Sequence, residues 1–161
     1  MGAQAETPNV RTWQLGQDGR GTGTILLVED ELFVREVTSE VLGSAGYRVL
    51  TAKNAADAEQ VYEQLCGGVD LLLIDVVLPG ENGRSFAERL RLSHPTLKTL
   101  LVTGYAEQMG LQEGGRAECL PKPFSTRELL EKVKAVMPDR ELASDHGRIE
   151  LRPAAANVSP A

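Results

Sequence analysis

Short unbroken apolar runs alternate along the middle of the chain with longer stretches in which apolar residues recur every three or four positions. Ile25-Leu-Leu-Val28, Leu71-Leu-Leu-Ile74 and Leu100-Leu-Val102 are continuous runs, the pattern of strands covered on both faces of a parallel sheet. Arg48 to Ala52 and Ala117 to Leu120 are weaker runs that suit outer strands. Between them, Val34, Val37, Val41, Leu42 and Ala45 form a helical stripe closed by Gly46 at a C′ position. Ala55, Ala58, Val61, Tyr62 and Leu65 form a second stripe, opened by Asn54 as N-cap. Phe86 and Leu90 mark a third helix ending before His94-Pro95. Leu129, Leu130, Val133, Val136 and Met137 mark the last, which opens on a Ser125-Thr-Arg-Glu128 capping box and stops at Pro138. Glu107 to Gly115 is different: Gly110, Gly114 and Gly115 each cost roughly 1 kcal/mol relative to Ala inside a helix. A helix there is predicted to be short or frayed. Five strands alternating with five helices predict an α/β fold with a parallel sheet and right-handed crossovers.

The flanks lack this patterning. Residues 1–23 hold five glycines and only Val10, Trp13 and Leu15 as sizeable apolar residues, too few to offset the entropy of ordering the backbone. They predict a flexible N-terminal segment, in which Trp13 is either incidental, the favoured reading, or a docking residue. Residues 139–161 are polar and then rich in Ala and Pro, and predict a flexible C-terminal tail. The folded unit is therefore expected over 24–138. Too little chain follows it for a helix-turn-helix.

Composition narrows the chemistry. The net charge of −6 argues against a nucleic-acid binder, which needs clustered Lys and Arg. No apolar run approaches the ~20 residues of a membrane span, and the N-terminus lacks signal-peptide order. A cytoplasmic protein with no membrane contact is expected. Cys66 and Cys119 are distant and have no Cys-x-x-Cys partner, and His94 and His146 are isolated, so zinc and iron–sulfur sites are excluded. Cys66, at a helix end before Gly67-Gly68, is expected to be a packing residue. The charged face of the last helix, with Glu128, Glu131, Lys132 and Lys134, reads as solvated surface.

Parallel α/β sheets gather their chemistry beyond the carboxyl ends of the strands. Glu29 and Asp30 follow the first run, Asp75 the third and Thr103 the fourth, with Lys122 two places after the fifth. Taken singly, each is an ordinary strand end. Together they bring three carboxylates to one rim, where mutual repulsion calls for a cation. Oxygen-only ligands suit magnesium or manganese rather than zinc. A carboxylate, a divalent ion, a hydroxyl and a lysine are the parts that phosphoryl transfer needs, with Asp75 as the attacking group.

These residues stand in Ile25-Leu-Leu-Val-Glu-Asp-Glu31, Leu73-Ile-Asp-Val-Val-Leu-Pro-Gly-Glu-Asn-Gly83, Leu101-Val-Thr-Gly-Tyr105 and Pro121-Lys-Pro-Phe124. In order and spacing the chain resembles the receiver domains of two-component response regulators, in particular those attached to hybrid histidine kinases. The resemblance implies a flavodoxin-like, doubly wound five-stranded sheet in the order 2-1-3-4-5 with five helices. It implies Asp75 as phosphoacceptor, with Glu29, Asp30, Asp75 and the Val77 main-chain carbonyl around Mg2+ or Mn2+. Thr103 and Lys122 would contact the phosphoryl group, and the peptide before Pro123 would be cis, a form that X-Pro bonds tolerate. It further implies a histidine kinase or phosphotransfer protein as donor, and an output surface at the fourth and fifth helices. The chain departs from the family where an aromatic residue often sits, three positions before the lysine: here that residue is Cys119. Tyr105 is expected either to shield the acyl phosphate from water or to pack half-buried.

The leading expectation is a phosphoaccepting signalling module, either free-standing or part of a hybrid kinase. It would catalyse its own phosphorylation and dephosphorylation without being an ordinary enzyme, would take no small molecule beyond phosphodonors, and would act through protein contacts. One alternative is an aspartate-nucleophile phosphohydrolase; such enzymes place a second Asp two positions after the nucleophile, where this chain has Val77, which cannot transfer protons. The other is an unphosphorylated pseudo-receiver acting as a scaffold, against which the full acidic set argues.

Overall fold

A computed structural model describes residues 23–104 and 118–137. The elements follow in the order β1 (Thr24–Val28), α1 (Leu32–Ser44), β2 (Arg48–Ala52), α2 (Ala55–Gln64), β3 (Leu71–Asp75), α3 (Gly83–Ser93), β4 (Lys98–Thr103), β5 (Glu118–Pro121) and α4 (Thr126–Val136). The two flanking segments, Tyr105 and the short helix predicted over 107–115 lie outside the described residues. Among the described residues no helix is long and apolar enough to cross a membrane.

All strand pairs are parallel, in the order β2-β1-β3-β4-β5, the doubly wound, flavodoxin-like arrangement. Because side chains alternate along a strand, each apolar run supplies both faces of the sheet. Leu26, Val28, Leu50, Leu72, Ile74 and Leu101 meet α2 and α3 through Ala58, Val61, Phe86 and Leu90. Ile25, Leu27, Val49, Leu71, Leu73 and Leu100 meet α1 and α4 through Leu42, Leu129 and Val133. A sheet covered on both sides needs runs that are apolar at every position. The β3 run is buried throughout.

The helix ends follow the expected signals. Asn54 accepts a hydrogen bond from the Asp57 N–H at 2.8 Å. Ser125 and Glu128 form the reciprocal capping box of α4. α1 ends in a Schellman turn: Gly46 has φ 102°, its N–H donates to Gly43 O at 3.0 Å, and the Tyr47 N–H donates to Leu42 O at 3.2 Å.

Two expectations are corrected. The buried arc of α1 is formed by Thr38, Ser39 and Leu42, whereas Val37 is 43% exposed. Val37 lies about 100° around the helix from Thr38, at the edge of the contact, and the short hydroxyl residues are what the helix turns toward the protein. Cys66 is exposed rather than packed. It takes φ 49° in the turn that follows α2, with Gly67 at φ 79° after it, beyond the helix's last buried residues, Val61 and Tyr62.

Candidate functional site

The strands are in register at their carboxyl ends: Val28 pairs with Ala52 and Ile74, Asp75 with Val102, and Thr103 with Pro121. This shared register brings residues that are far apart in sequence to one rim. Past the end of β1, the Glu29 N–H still donates to Ala52 O at 3.1 Å, which holds Glu29 one step beyond the strand. Asp75 is the last residue of β3; the Val76 N–H still donates to Val102 O on β4, and the Gly83 N–H comes back to Val76 O, both at 2.9 Å. Gly83 is required there, since a Cβ would collide with the Asp75 main-chain carbonyl. Thr103 ends β4 fully buried. Its carbonyl accepts from the Lys122 N–H at 2.8 Å, which sets Lys122 just past β5. The Lys122–Pro123 peptide is cis.

Carboxylate oxygens of Glu29, Asp30 and Asp75 lie within 4.8 Å of one another. Glu29 and Asp75 are only 5% and 7% exposed, while Asp30 is open to solvent. The Lys122 Nζ bridges the two buried acids, 2.5 Å from Asp75 Oδ2 and 3.2 Å from Glu29 Oε2. Main-chain donors fix their other oxygens: the Val77 N–H donates to Asp75 Oδ1 at 2.9 Å and the Glu31 N–H to Glu29 Oε1 at 3.1 Å. The Val77 side chain itself is exposed.

Burial pushes the Glu29 carboxyl above the usual carboxylate range, and the nearby Asp75 charge adds to this; the Glu31 N–H and Lys122 oppose it without cancelling it. Burial also works against the Lys122 ammonium, but its hydrogen bond to Asp75 and the charges of Asp75 and Glu29 prevail and hold it above the ordinary lysine range. Lys122 brings one positive charge to a cluster of three carboxylates. A set of carboxylate oxygens still short of positive charge fits a hard divalent cation.

The structure thus joins Glu29, Asp30, Asp75 and Lys122 through side-chain atoms, Val77 through its main-chain N–H and Thr103 through strand register. Cys119 stands apart on β5, opposite Leu101, half-buried with its thiol pushed up by that burial. Tyr105 lies outside the described residues. One residue escapes sequence reasoning: the Arg35 guanidinium reaches back from α1, its Nη1 donating to Glu29 O at 2.8 Å and Asp30 O at 3.3 Å. The available signal is a cation in the first turn of a helix, where acidic residues are favoured.

Comparison with known proteins agrees with this geometry. Residues 25–134 match the sequence profile of the response regulator receiver domain. The chain is 39% identical over 123 residues to the sensor kinase CckA of Brucella abortus, covering 74% of this chain and 13% of that protein. It is 38% identical over 116 residues to the transcriptional regulatory protein CpxR of Klebsiella pneumoniae, covering 70% of this chain and 48% of that one. The chain spans less than half the length of either relative. Among solved structures, the receiver domain of the hybrid histidine kinase CckA superposes with a TM-score of 0.61 at 34% identity, over 70% of this chain and 97% of that one. The response regulator TrrA of Thermotoga maritima, in complex with Mg2+-BeF, gives 0.63 at 33% identity, over 71% and 99%. A parallel five-stranded sheet with an acidic rim and a bridging lysine, matched over most of its length by receivers, places this chain in the response regulator receiver domain family of two-component signalling.

Proposed function

We propose that residues 24–138 form a phosphoaccepting unit in which Asp75 takes a phosphoryl group from a phosphohistidine of a histidine kinase or phosphotransfer protein. The observation that carries this reading is the Lys122 Nζ held between Asp75 Oδ2 and Glu29 Oε2 inside the three-carboxylate cluster. A Mg2+ or Mn2+ ion would be held by Glu29, Asp30, Asp75 and the Val77 carbonyl, and when bound it supplies charge neutralisation for the phosphoryl oxygens.

The remaining work falls to the chain. The Val77 N–H on Asp75 Oδ1 holds the carboxylate in one orientation, so that an oxygen stands ready for in-line attack. A bond forms between an Asp75 oxygen and phosphorus, the donor's P–N bond breaks, and the released imidazole keeps the electron pair and takes a proton. Lys122 and the Thr103 hydroxyl then bind phosphoryl oxygens, which exchanges one anionic partner of Lys122 for another. Exposed Leu32, Phe33 and Val77, each within a few residues of the acids, support a protein donor rather than only a small one. The signal would leave through protein contacts on the side of β4 and β5, in the cytoplasm where such donors act. Val77 stands where an aspartate-nucleophile hydrolase carries its proton-transferring Asp, so one phosphorylation event is expected in place of steady turnover.

The test is intact-mass measurement after incubation with acetyl phosphate and Mg2+. The reading expects one added phosphoryl group, absent from Asp75→Asn and absent when the metal is chelated. A group retained in Asp75→Asn overturns it.

A further inference from the structure

We propose that Arg35 is a positioning residue for the acidic pocket, acting through the main chain of Glu29 and Asp30 rather than through its charge. The inference deepens the preceding reading and rests on it: the pocket must be a divalent-cation and phosphoryl site for its alignment to matter.

Arg35 is the fourth residue of α1 and its N–H makes the helix's first-turn bond to Glu31 O at 2.9 Å. A cation at this end faces the positive pole of the helix dipole, an arrangement that costs a few tenths of a kcal/mol or more. Glu31 at the N-cap, with Glu29 and Asp30 just before it, supplies the negative charge this helix end favours, so what sets Arg35 apart is where its guanidinium bonds. Both of its Nη1 acceptors lie outside the helix, on the main chain of the acidic turn.

What it serves is visible in its bonds. β1 ends at Val28, so the carbonyls of Glu29 and Asp30 have left the strand while their carboxylates must still converge. The Arg35 Nη1 donates to both, at 2.8 and 3.3 Å, and bends the turn around one planar guanidinium. Glu29 is thereby held at three points: its N–H on Ala52 O, its carbonyl on Arg35, and its carboxylate between the Glu31 N–H and Lys122. Asp30 is exposed, and the Arg35 bond to its carbonyl holds its main chain. Groups that orient ligands from behind in this way are worth tenfold to a hundredfold in metal affinity.

The sign of the effect separates this from the electrostatic alternative. Were Arg35 acting by charge, its removal would leave the acids less neutralised and would tighten cation binding. Were it a plain structural strap, its removal would lower stability and leave cation affinity alone. Mg2+ dissociation constants are read by amide chemical-shift titration for the parent, Arg35→Gln and Arg35→Lys, with urea-unfolding midpoints and the heteronuclear NOE of residues 29–31 in the metal-free proteins. We expect Arg35→Gln to bind Mg2+ about tenfold more weakly with a lowered NOE at residues 29–31, and Arg35→Lys, which keeps the charge and one reachable donor, to fall between it and the parent. Equal or tighter binding by Arg35→Gln overturns the positioning role while leaving the proposed site intact. Should the parent itself fail to bind Mg2+, the site reading fails and this inference falls with it. Arg35→Lys keeps the comparison decisive if the Gln variant does not fold.

Discussion

Lys122 sits between two acids that are nearly withdrawn from water, so its removal leaves like charges facing each other with no counter-charge. Lys122→Met is expected to lower stability by about 1–3 kcal/mol at pH 7, less than for a fully buried pair because the lysine side chain keeps some solvent contact. Its raised pKa fixes the direction with pH: the stabilisation is complete below the free-lysine value of 10.5 and is lost as pH climbs through the higher folded value. In the variant, the deficit should shrink as pH falls toward 4.5 and Glu29, whose carboxyl is pushed up by burial, takes a proton. Urea unfolding of both proteins at pH 5 and pH 8 checks this; an equal deficit at both contradicts it. A second residue makes a prediction away from the site. Cys66 holds φ 49°, which costs a residue with a side chain roughly 1–2 kcal/mol, while glycine loses roughly 0.5–1 kcal/mol in chain entropy. Cys66→Gly should therefore gain about 0.5–1 kcal/mol in reversible unfolding under reducing conditions. The sequence could show that Cys66 precedes two glycines but not that the turn would start on it. Backbone sign in such a turn depends on how the following strand is drawn in, which no local pattern records.

At the scale of elements, the ends were the most readable part. Asn54, Gly46 and the Ser125–Glu128 pair act through bonds to their own neighbours, so their roles are written in adjacent residues. Glu128 is held below the usual carboxylate range by its bonds to Ser125. The capping box thus contributes above pH 4.5 and is lost as pH falls through the lower folded value; exchange protection at the start of α4 should decline over that range before the rest of the domain opens. The face of α1 was less readable. Val37 fits the apolar period as well as Leu42 does, and the choice between them depends on where the sheet lies, which only tertiary packing decides. The start of α3 offers a sharper test. Gly83→Ala would press a methyl onto the Asp75 carbonyl and within 3.1 Å of Ile74 Cγ1, so helix and strand must part. A loss on the order of 1–3 kcal/mol is expected, with displaced amide resonances for residues 74–77; unchanged resonances would contradict the close approach.

Across the whole molecule, function depends on strand order. Lys122 and Glu29 are 93 positions apart, and nothing between them in sequence announces that they touch. Their meeting follows from placing β1 and β3 at the centre, β4 and β5 on one side, and every strand in the same direction. The continuous apolar runs made a parallel sheet legible, the resemblance to receivers supplied its strand order, and the residue after each run made the rim legible. Arg35 was not, because its partners are main-chain carbonyls that every residue carries, and side-chain chemistry alone does not single them out. The fit of three carboxylates to a cation follows from the same geometry: burial removes water from Glu29 and Asp75, and one ammonium cannot replace it.

The central claim is that an Asp75 oxygen becomes an acyl phosphate, and borohydride trapping reads that bond directly. After incubation with acetyl phosphate and Mg2+, reduction converts a phosphorylated aspartate to homoserine, which peptide mass spectrometry locates. The account predicts homoserine at position 75, dependent on both phosphodonor and metal. Homoserine at another acid, or none under conditions that label a known receiver, would contradict it.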